Sequence, residues 1–362
     1  MYIGHKDLQM YSVVPLVLAS LCAATTSQPV RMLGPGMWQL RAATLDRQLA
    51  SAAVATTAVR TPIAPFDRMG IARHGAQPPL PTEVVANPRP EEYLDDAALP
   101  SAWDWRSVLV APSTPPVHFV TRIRNQFLPY WCGSCWAHAA TAVLGSRWLI
   151  HAANATDSGV DFSVQYFINC VKNASRGCHG GSSYEAFALA HSVGAVDSSC
   201  LPYRAFNQNC TAMNTCEQNL NGIPPVHIQS AKPHRYFAAE FGVVGSGADT
   251  AAVMENKMMK EIYARGPVAS CMACPGEFEN DYKGGVFATT DNRTVCDHIV
   301  AVVGFGGTGK ESYWVVQNSF GSVWGELGYF RIKRSSALQG HEHNLGIEKD
   351  VSWAMPDTSV QV

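Results

Sequence analysis

Residues 124–138 read Arg-Asn-Gln-Phe-Leu-Pro-Tyr-Trp-Cys-Gly-Ser-Cys-Trp-Ala-His, and this stretch decides how the rest of the chain is read. Residues 139–150 are helix formers, with apolar Ala140, Val143, Leu144 and Trp148 spaced for one buried face. Gly133 and Ser134 punctuate the approach, so Cys135 falls on the first turn of that helix. There the unpaired backbone N–H groups and the helix dipole favour a thiolate. The bland alternative, a structural disulfide, is the usual fate of a cysteine in a secreted chain.

A thiolate that attacks amides needs a base, a group that orients the base, and donors for the oxyanion. The first two have candidates late in the chain. His298 opens an apolar, β-branched run through Gly306, which places it at the start of a strand. Residues 313–332 read as strand, glycine-rich turn and strand, with Asn318 ending the first. Two other chemistries compete for Cys132-Gly-Ser-Cys135. A C-x-x-C pair at a helix start is also a thiol–disulfide redox motif. Paired with Cys271-Met-Ala-Cys274 it could bind zinc, but the two pairs lie far beyond the spacing of a zinc ribbon.

Composition bounds these readings. The formal charge of −2 gives little attraction to nucleic acid or an anionic membrane. With 47% hydrophobic and only 15% charged residues, the chain can fill a large core. Residues 11–24 form an apolar run too short to span a bilayer, and small residues follow, as in a cleaved signal peptide over 1–24. Residues 25–98 lack lysine and cysteine and are rich in proline towards their end, which suits a prosegment with one Ala-rich helix over 38–59 and an extended linker. Packing signals become dense from Trp103, so a processing boundary is expected near Leu99. Asn-x-Ser/Thr sequons at Asn154, Asn173, Asn209 and Asn292, with eleven cysteines, fit passage through an oxidising secretory compartment.

Taken in order, Glu92-Tyr-Leu, Leu99-Pro-Ser-Ala-Trp-Asp-Trp-Arg106, Cys132-Gly-Ser-Cys-Trp-Ala-His138, Gly177-Cys-His-Gly-Gly181, Gly266-Pro, Tyr282-Lys-Gly-Gly-Val286 and Asn318-Ser-Phe-Gly321 resemble the papain-like cysteine peptidases, and within them the cathepsin Z-like (cathepsin X-like) branch. The resemblance covers about 89–345 and implies an α+β fold of two lobes. A helical lobe carries Cys135, a β-barrel-like lobe carries His298 and Asn318, and the cleft lies between them. It further implies that Cys135 is the nucleophile, ion-paired with His298 as base. Asn318 would orient the imidazole, and Gln126 with the Cys135 N–H would form the oxyanion hole. Gly180 and Gly181 would line the cleft where a substrate backbone lies close. It implies the disulfides Cys132–Cys178, Cys170–Cys210 and Cys200–Cys216. Ten cysteines follow from Cys132 onward, so with Cys135 set aside an odd number remains, and the 271–296 region is where the exception is expected.

Spacing singles out the branch. Gln126 lies nine residues before Cys135, where most relatives have six, and the added Phe127-Leu128-Pro129 corresponds to that branch's mini-loop. In the branch this loop closes the primed side and turns an endopeptidase into a carboxypeptidase that removes single C-terminal residues. Two departures stand out. Phe127 occupies the place of a histidine that binds the substrate's terminal carboxylate, which leaves Tyr130 or Trp131 as neutral donors. Phe320 replaces the usual tryptophan beside the orienting Asn318. The expected prosegment also lacks the cysteine that caps the nucleophile in that branch, so inhibition by steric cover is expected. The reading is a cysteine peptidase acting on peptides or proteins, monomeric once the prosegment is removed and resident in a lysosome or vacuole or secreted. It needs no metal and no organic cofactor, and it implies neither a nucleic-acid partner nor a membrane span. Endopeptidase action, a redox role for Cys132/Cys135 and a non-enzymatic binding protein are the alternatives.

Overall fold

The computed structural model describes residues 81–110, 115–151, 160–172, 176–212, 214–216 and 234–358. The expected leader, residues 25–80 of the expected prosegment, and Asn154 and Asn173 lie outside them.

Five helices and eight strands order the described residues: α1 (Pro90–Tyr93), β1 (Trp103–Asp104), α2 (Cys135–His151), α3 (Val164–Cys170), α4 (Ser183–Ser192), β2 (Ala238–Val243), α5 (Ala251–Arg265), β3 (Val268–Met272), β4 (Val286–Phe287), β5 (His298–Gly306), β6 (Tyr313–Gln317), β7 (Tyr329–Lys333) and β8 (Asp350–Pro356). The strands form one sheet in the order β2-β8-β3-β5-β6-β7-β4, with β1 pairing off this path to β5. All pairs are antiparallel except β4 with β7. α2, α3 and α4 form the helical lobe, and the strands with α5 form the sheet lobe.

The central helix α2 differs from the sequence expectation of a single buried face. Every residue from Cys135 to Trp148 except Ala142 is buried. The reason is its position, for α2 packs against β3, β5 and β8 on one side and α3 and α4 on the other. A helix enclosed in this way needs apolar or fully paired residues all round. Arg147 meets that demand by donating to Glu261 Oε1 at 2.8 Å, Pro267 O at 2.8 Å and Gly266 O at 3.1 Å. Glu261 also takes Arg265 at 2.5 Å. Burial opposes ionisation of Glu261, but the two guanidiniums outweigh it and hold the carboxyl below its usual range. This buried triad fixes α2 to α5, and α2 carries the nucleophile.

Four disulfides close the lobes. Cys132–Cys178, Cys170–Cys210 and Cys200–Cys216 lie in the helical lobe, and Cys271–Cys296 ties β3 to the segment before β5. Cys135 and Cys274 carry free thiols. Cys132 is therefore committed to Cys178, which removes the redox pairing with Cys135, and Cys271 is unavailable as part of a zinc set.

Residues 81–98, the described end of the expected prosegment, pack at the β2 edge, three strands from β5. Val84 exchanges backbone hydrogen bonds with Phe241, and Ala86 N–H and Asn87 N–H donate to the buried Glu240 carboxylate at 3.1 and 3.3 Å. Buried Arg89 pairs with Glu83 at 2.6 Å and donates to Val243 O at 2.6 Å. This stretch extends the sheet and covers its open edge, which would otherwise present unpaired strand groups.

Candidate active site

Cys132-Gly-Ser is fixed before the helix begins. The Cys132–Cys178 bond and a hydrogen bond from Gly133 N–H to Cys178 O, 2.7 Å, hold it against the loop that carries Gly180. Gly180 has φ +105°, a conformation that side chains with a Cβ rarely adopt. Ser134 O then accepts from Ala137 and His138 N–H, both at 3.0 Å, and starts α2 with Cys135 on its first turn.

The Cys135 thiol faces the backbone N–H groups of Ile299, Trp136 and Cys135 itself. Ile299 follows His298 directly, so the nucleophile of the helical lobe lies beside the start of β5. His298 Nε2–H donates to Asn318 Oδ1 at 2.8 Å, and that oxygen also accepts Ser319 N–H at 2.8 Å. Asn318 stands one residue past β6, whose Gln317 pairs with Ala301 of β5, so sheet register sets the His298–Asn318 contact. Phe320 stacks on the imidazole, with centroids 4.8 Å apart and rings inclined by 27°.

Burial is the largest influence on the proton affinity of both reactive groups. It pushes the Cys135 thiol up to about 11, although three backbone N–H groups pull the other way. It pushes His298 down to about 4 against the opposing hydrogen bond that the imidazole donates to Asn318. The backbone N–H groups at the start of α2 and at Ile299 act on the thiol in the direction that favours the thiolate, against its burial.

Gln126 is buried between the lobes. Its Nε2 donates to Cys132 O at 3.1 Å, and its Oε1 accepts Ser319 Oγ–H at 2.7 Å. One N–H of the amide remains for a developing oxyanion. Its backbone is held as well, by Ser319 O at 2.9 Å and by the Tyr203 hydroxyl at 2.7 Å. Sequence reading did not single out Ser319, although it lies in the Asn318–Gly321 motif, or Tyr203, because both act on Gln126 through distant pairing. Between Gln126 and Cys132 the mini-loop turns outward: Leu128, Tyr130 and Trp131 are 61%, 66% and 67% exposed. Phe127 folds back on Phe320, with centroids 5.1 Å apart.

Cys271 and Cys274, open in the sequence reading, now separate. Cys271 is bonded to Cys296, while Cys274 keeps its thiol and gives its N–H to Asp297 Oδ1 at 2.6 Å. Burial pushes the Cys274 thiol far up, with Glu279, Asp297 and Cys135 adding to the effect. Asn209 and Asn292 are both exposed. The structure also places Cys271, Cys296 and Asp350 close together, but with both sulfurs in a disulfide this cluster offers no thiolate to a metal.

A model of the papain family cysteine proteases matches residues 99–355. The chain belongs to this family. As a papain-family peptidase it is 35% identical over 271 residues to a cathepsin Z of Onchocerca volvulus, spanning 74% of this chain and 80% of that protein. It is 32% identical over 277 residues to the cysteine endopeptidase Rep1 of Oryza sativa subsp. japonica, spanning 75% of this chain and 62% of that protein. Among solved structures, a cysteine protease of Carica candamarcensis superposes with a TM-score of 0.52 at 28% identity, covering 71% of this chain and 99% of the other. Procathepsin L2 of Tenebrio molitor superposes with a TM-score of 0.56 at 25% identity, covering 74% and 73%. The α+β two-lobed papain fold and cysteine peptidase chemistry follow. Among the described residues no helix is long and apolar enough to cross a membrane.

Proposed function

We propose that this papain-family peptidase is a carboxypeptidase that removes single C-terminal residues through an acyl-enzyme on Cys135. His298, oriented by Asn318, takes the thiol proton to form the ion pair, and the sulfur attacks the scissile carbonyl. The free N–H of Gln126 and the Cys135 N–H meet the oxyanion, and the resulting imidazolium protonates the leaving amine. His298 then deprotonates the water that releases the acyl group. The observation that carries the reading is the loop 127–131, which rises from between the oxyanion glutamine and Cys132 with three large side chains more than 60% exposed. A wall at that point leaves space for one residue beyond the scissile bond.

The likeness to cathepsin Z supports the same reading. Phe127 favours endopeptidase action as the second reading, because phenylalanine lacks the donor whose charge-assisted hydrogen bond to a carboxylate is worth about 1.5–3 kcal/mol. In our reading Tyr130 or Trp131 supplies a neutral donor instead. The prosegment over 25–98 acts by steric cover, and Asn209 and Asn292 are glycan sites of a protein that passes through the secretory pathway to an acidic vacuole or lysosome or to the exterior. It works there as a monomer.

Mass spectrometry of two matched peptides, one ending in a free carboxylate and one amidated, tests the mode against a Cys135→Ala control. Stepwise loss of single residues from the free peptide alone is the expected result. Equal internal cleavage of both peptides refutes the carboxypeptidase reading. Unchanged trimming by a Tyr130→Phe, Trp131→Phe double variant refutes the neutral donors alone.

A further inference from the structure

Where the mini-loop begins, three rings stand in a column. Phe127 lies 5.1 Å from Phe320 with an inclination of 33°, and Phe320 lies 4.8 Å from the His298 imidazole with an inclination of 27°. Trp324 meets Phe320 edge-on at 5.3 Å and closes its flank. Exposure decreases down the column: Phe127 is half-buried, while Phe320 and His298 are buried. The backbones beneath are stitched together. Gln126 N–H donates to Ser319 O at 2.9 Å, Gly321 N–H donates to Arg124 O at 3.0 Å, and Asn125 pairs with Phe320. Phe127 N–H is held by Asn125 Oδ1 at 2.9 Å. Gly321 has φ +82°, and a Cβ there would meet Asn125 Nδ2 at 2.9 Å, so the close approach of the two segments depends on glycine.

We propose that Phe127 is a positioning residue of the catalytic imidazole: its ring backs Phe320, and Phe320 so backed keeps His298 against Asn318 and out of water. Phe127 thus acts on the base, and terminal-carboxylate recognition falls to other residues. The physical ground is packing. A ring with solvent on its outer face can tilt and admit water beneath it, whereas a ring between two others is held by dispersion and quadrupole contacts on both faces. The titratable groups around the imidazole are the Cys135 thiol and His138 on α2, Cys274 after β3, and Asp297 beside it in the chain. Phe127, Phe320 and Trp324 carry no charge, so a change at Phe127 reaches His298 through hydration and orientation. Burial is already the largest influence on His298 and pushes it down to about 4. Uncovering Phe320 weakens that influence and lets the imidazole take a proton at higher pH.

This inference does not require the carboxypeptidase reading, and its test keeps the two apart. The pH dependence of kcat/KM is measured for wild type, Phe127→Ala, Phe127→Leu and Phe127→Trp on both the free and the amidated peptide. Which peptide wild type cleaves decides the mode; where the acid limb lies decides the role of Phe127. In Phe127→Ala the acid limb moves up by about one pH unit, from near 4 towards the ordinary histidine value of about 6.5, on whichever peptide is cleaved. Phe127→Trp keeps the wild-type limb, and Phe127→Leu, which keeps bulk without a ring, falls between. Should Phe127→Ala fail to fold, the Leu and Trp pair still orders the limbs. An unmoved acid limb in every variant, with changes confined to KM, would overturn the inference and make Phe127 a substrate-contacting residue.

Discussion

At the β2 edge, buried charge is met by opposite charge or by backbone donors. Arg89 faces Glu83, Glu240 accepts two backbone N–H groups, and behind them Arg147, Glu261 and Arg265 form a closed triad. At the cleft, Cys135 and His298 are buried just as deeply, but the groups that meet them are backbone N–H donors for the thiol and the Asn318 amide oxygen for the imidazole. The first arrangement holds elements together and keeps its ions charged. The second holds a thiol and an imidazole in the cleft, each able to take or give up a proton. Closed ion networks mark the scaffold of this molecule, and titratable groups held by neutral donors and acceptors mark its chemistry.

Substitution separates the two regions. Cys135→Ala abolishes turnover, a loss of roughly ten-thousandfold or more, and leaves the denaturant midpoint close to that of wild type. Glu261→Gln does the reverse. It leaves two buried guanidiniums without their carboxylate and lowers stability by about 3–5 kcal/mol, read as a shift in urea midpoint. The activity of the folded fraction keeps its pH profile. A Glu261→Gln enzyme that is fully stable but has an altered profile would break the division between scaffold and chemistry.

Acid gives a smaller effect that sharpens the same contrast. Burial lowers His151 to about 4 and His138 to about 3, as it lowers His298 to about 4. Unfolded histidine takes its proton near 6.5, so between that pH and about 4 the unfolded chain binds protons that the native chain does not. The stability associated with these neutral histidines is complete above about 6.5 and is lost as pH falls through about 4. The thermal midpoint therefore falls between pH 7 and pH 4.5, and His151→Gln, remote from the chemistry, flattens the slope. An identical slope in wild type and His151→Gln would show that His151 does not titrate as its burial implies.

Much of this site was legible in the sequence because its parts stand at element boundaries. Gly133-Ser134 before an apolar helix located Cys135, the β-branched run after His298 located a strand, and the turn after Gln317 located Asn318. Pairwise register was not legible. That Ser319 would support Gln126, or that Tyr203 would reach its carbonyl, depends on contacts across 193 and 77 positions. The enclosure of α2 was hidden for a related reason: helix periodicity reports one face, whereas burial on the other depends on which lobe closes over it. Burial depth was the third thing hidden: a helix N-terminus is visible in sequence, but the depth of the thiol behind it is not.

The central claim concerns three residues, Phe127, Leu128 and Pro129, and excising them tests it most directly. The variant restores the six-residue spacing between Gln126 and the nucleophile and is assayed by mass spectrometry on the free and amidated peptides. The account predicts that single-residue trimming disappears and that both peptides are cleaved internally at comparable rates. Trimming of the free peptide that persists without the loop would contradict it and place the determinant of cleavage mode elsewhere in the cleft.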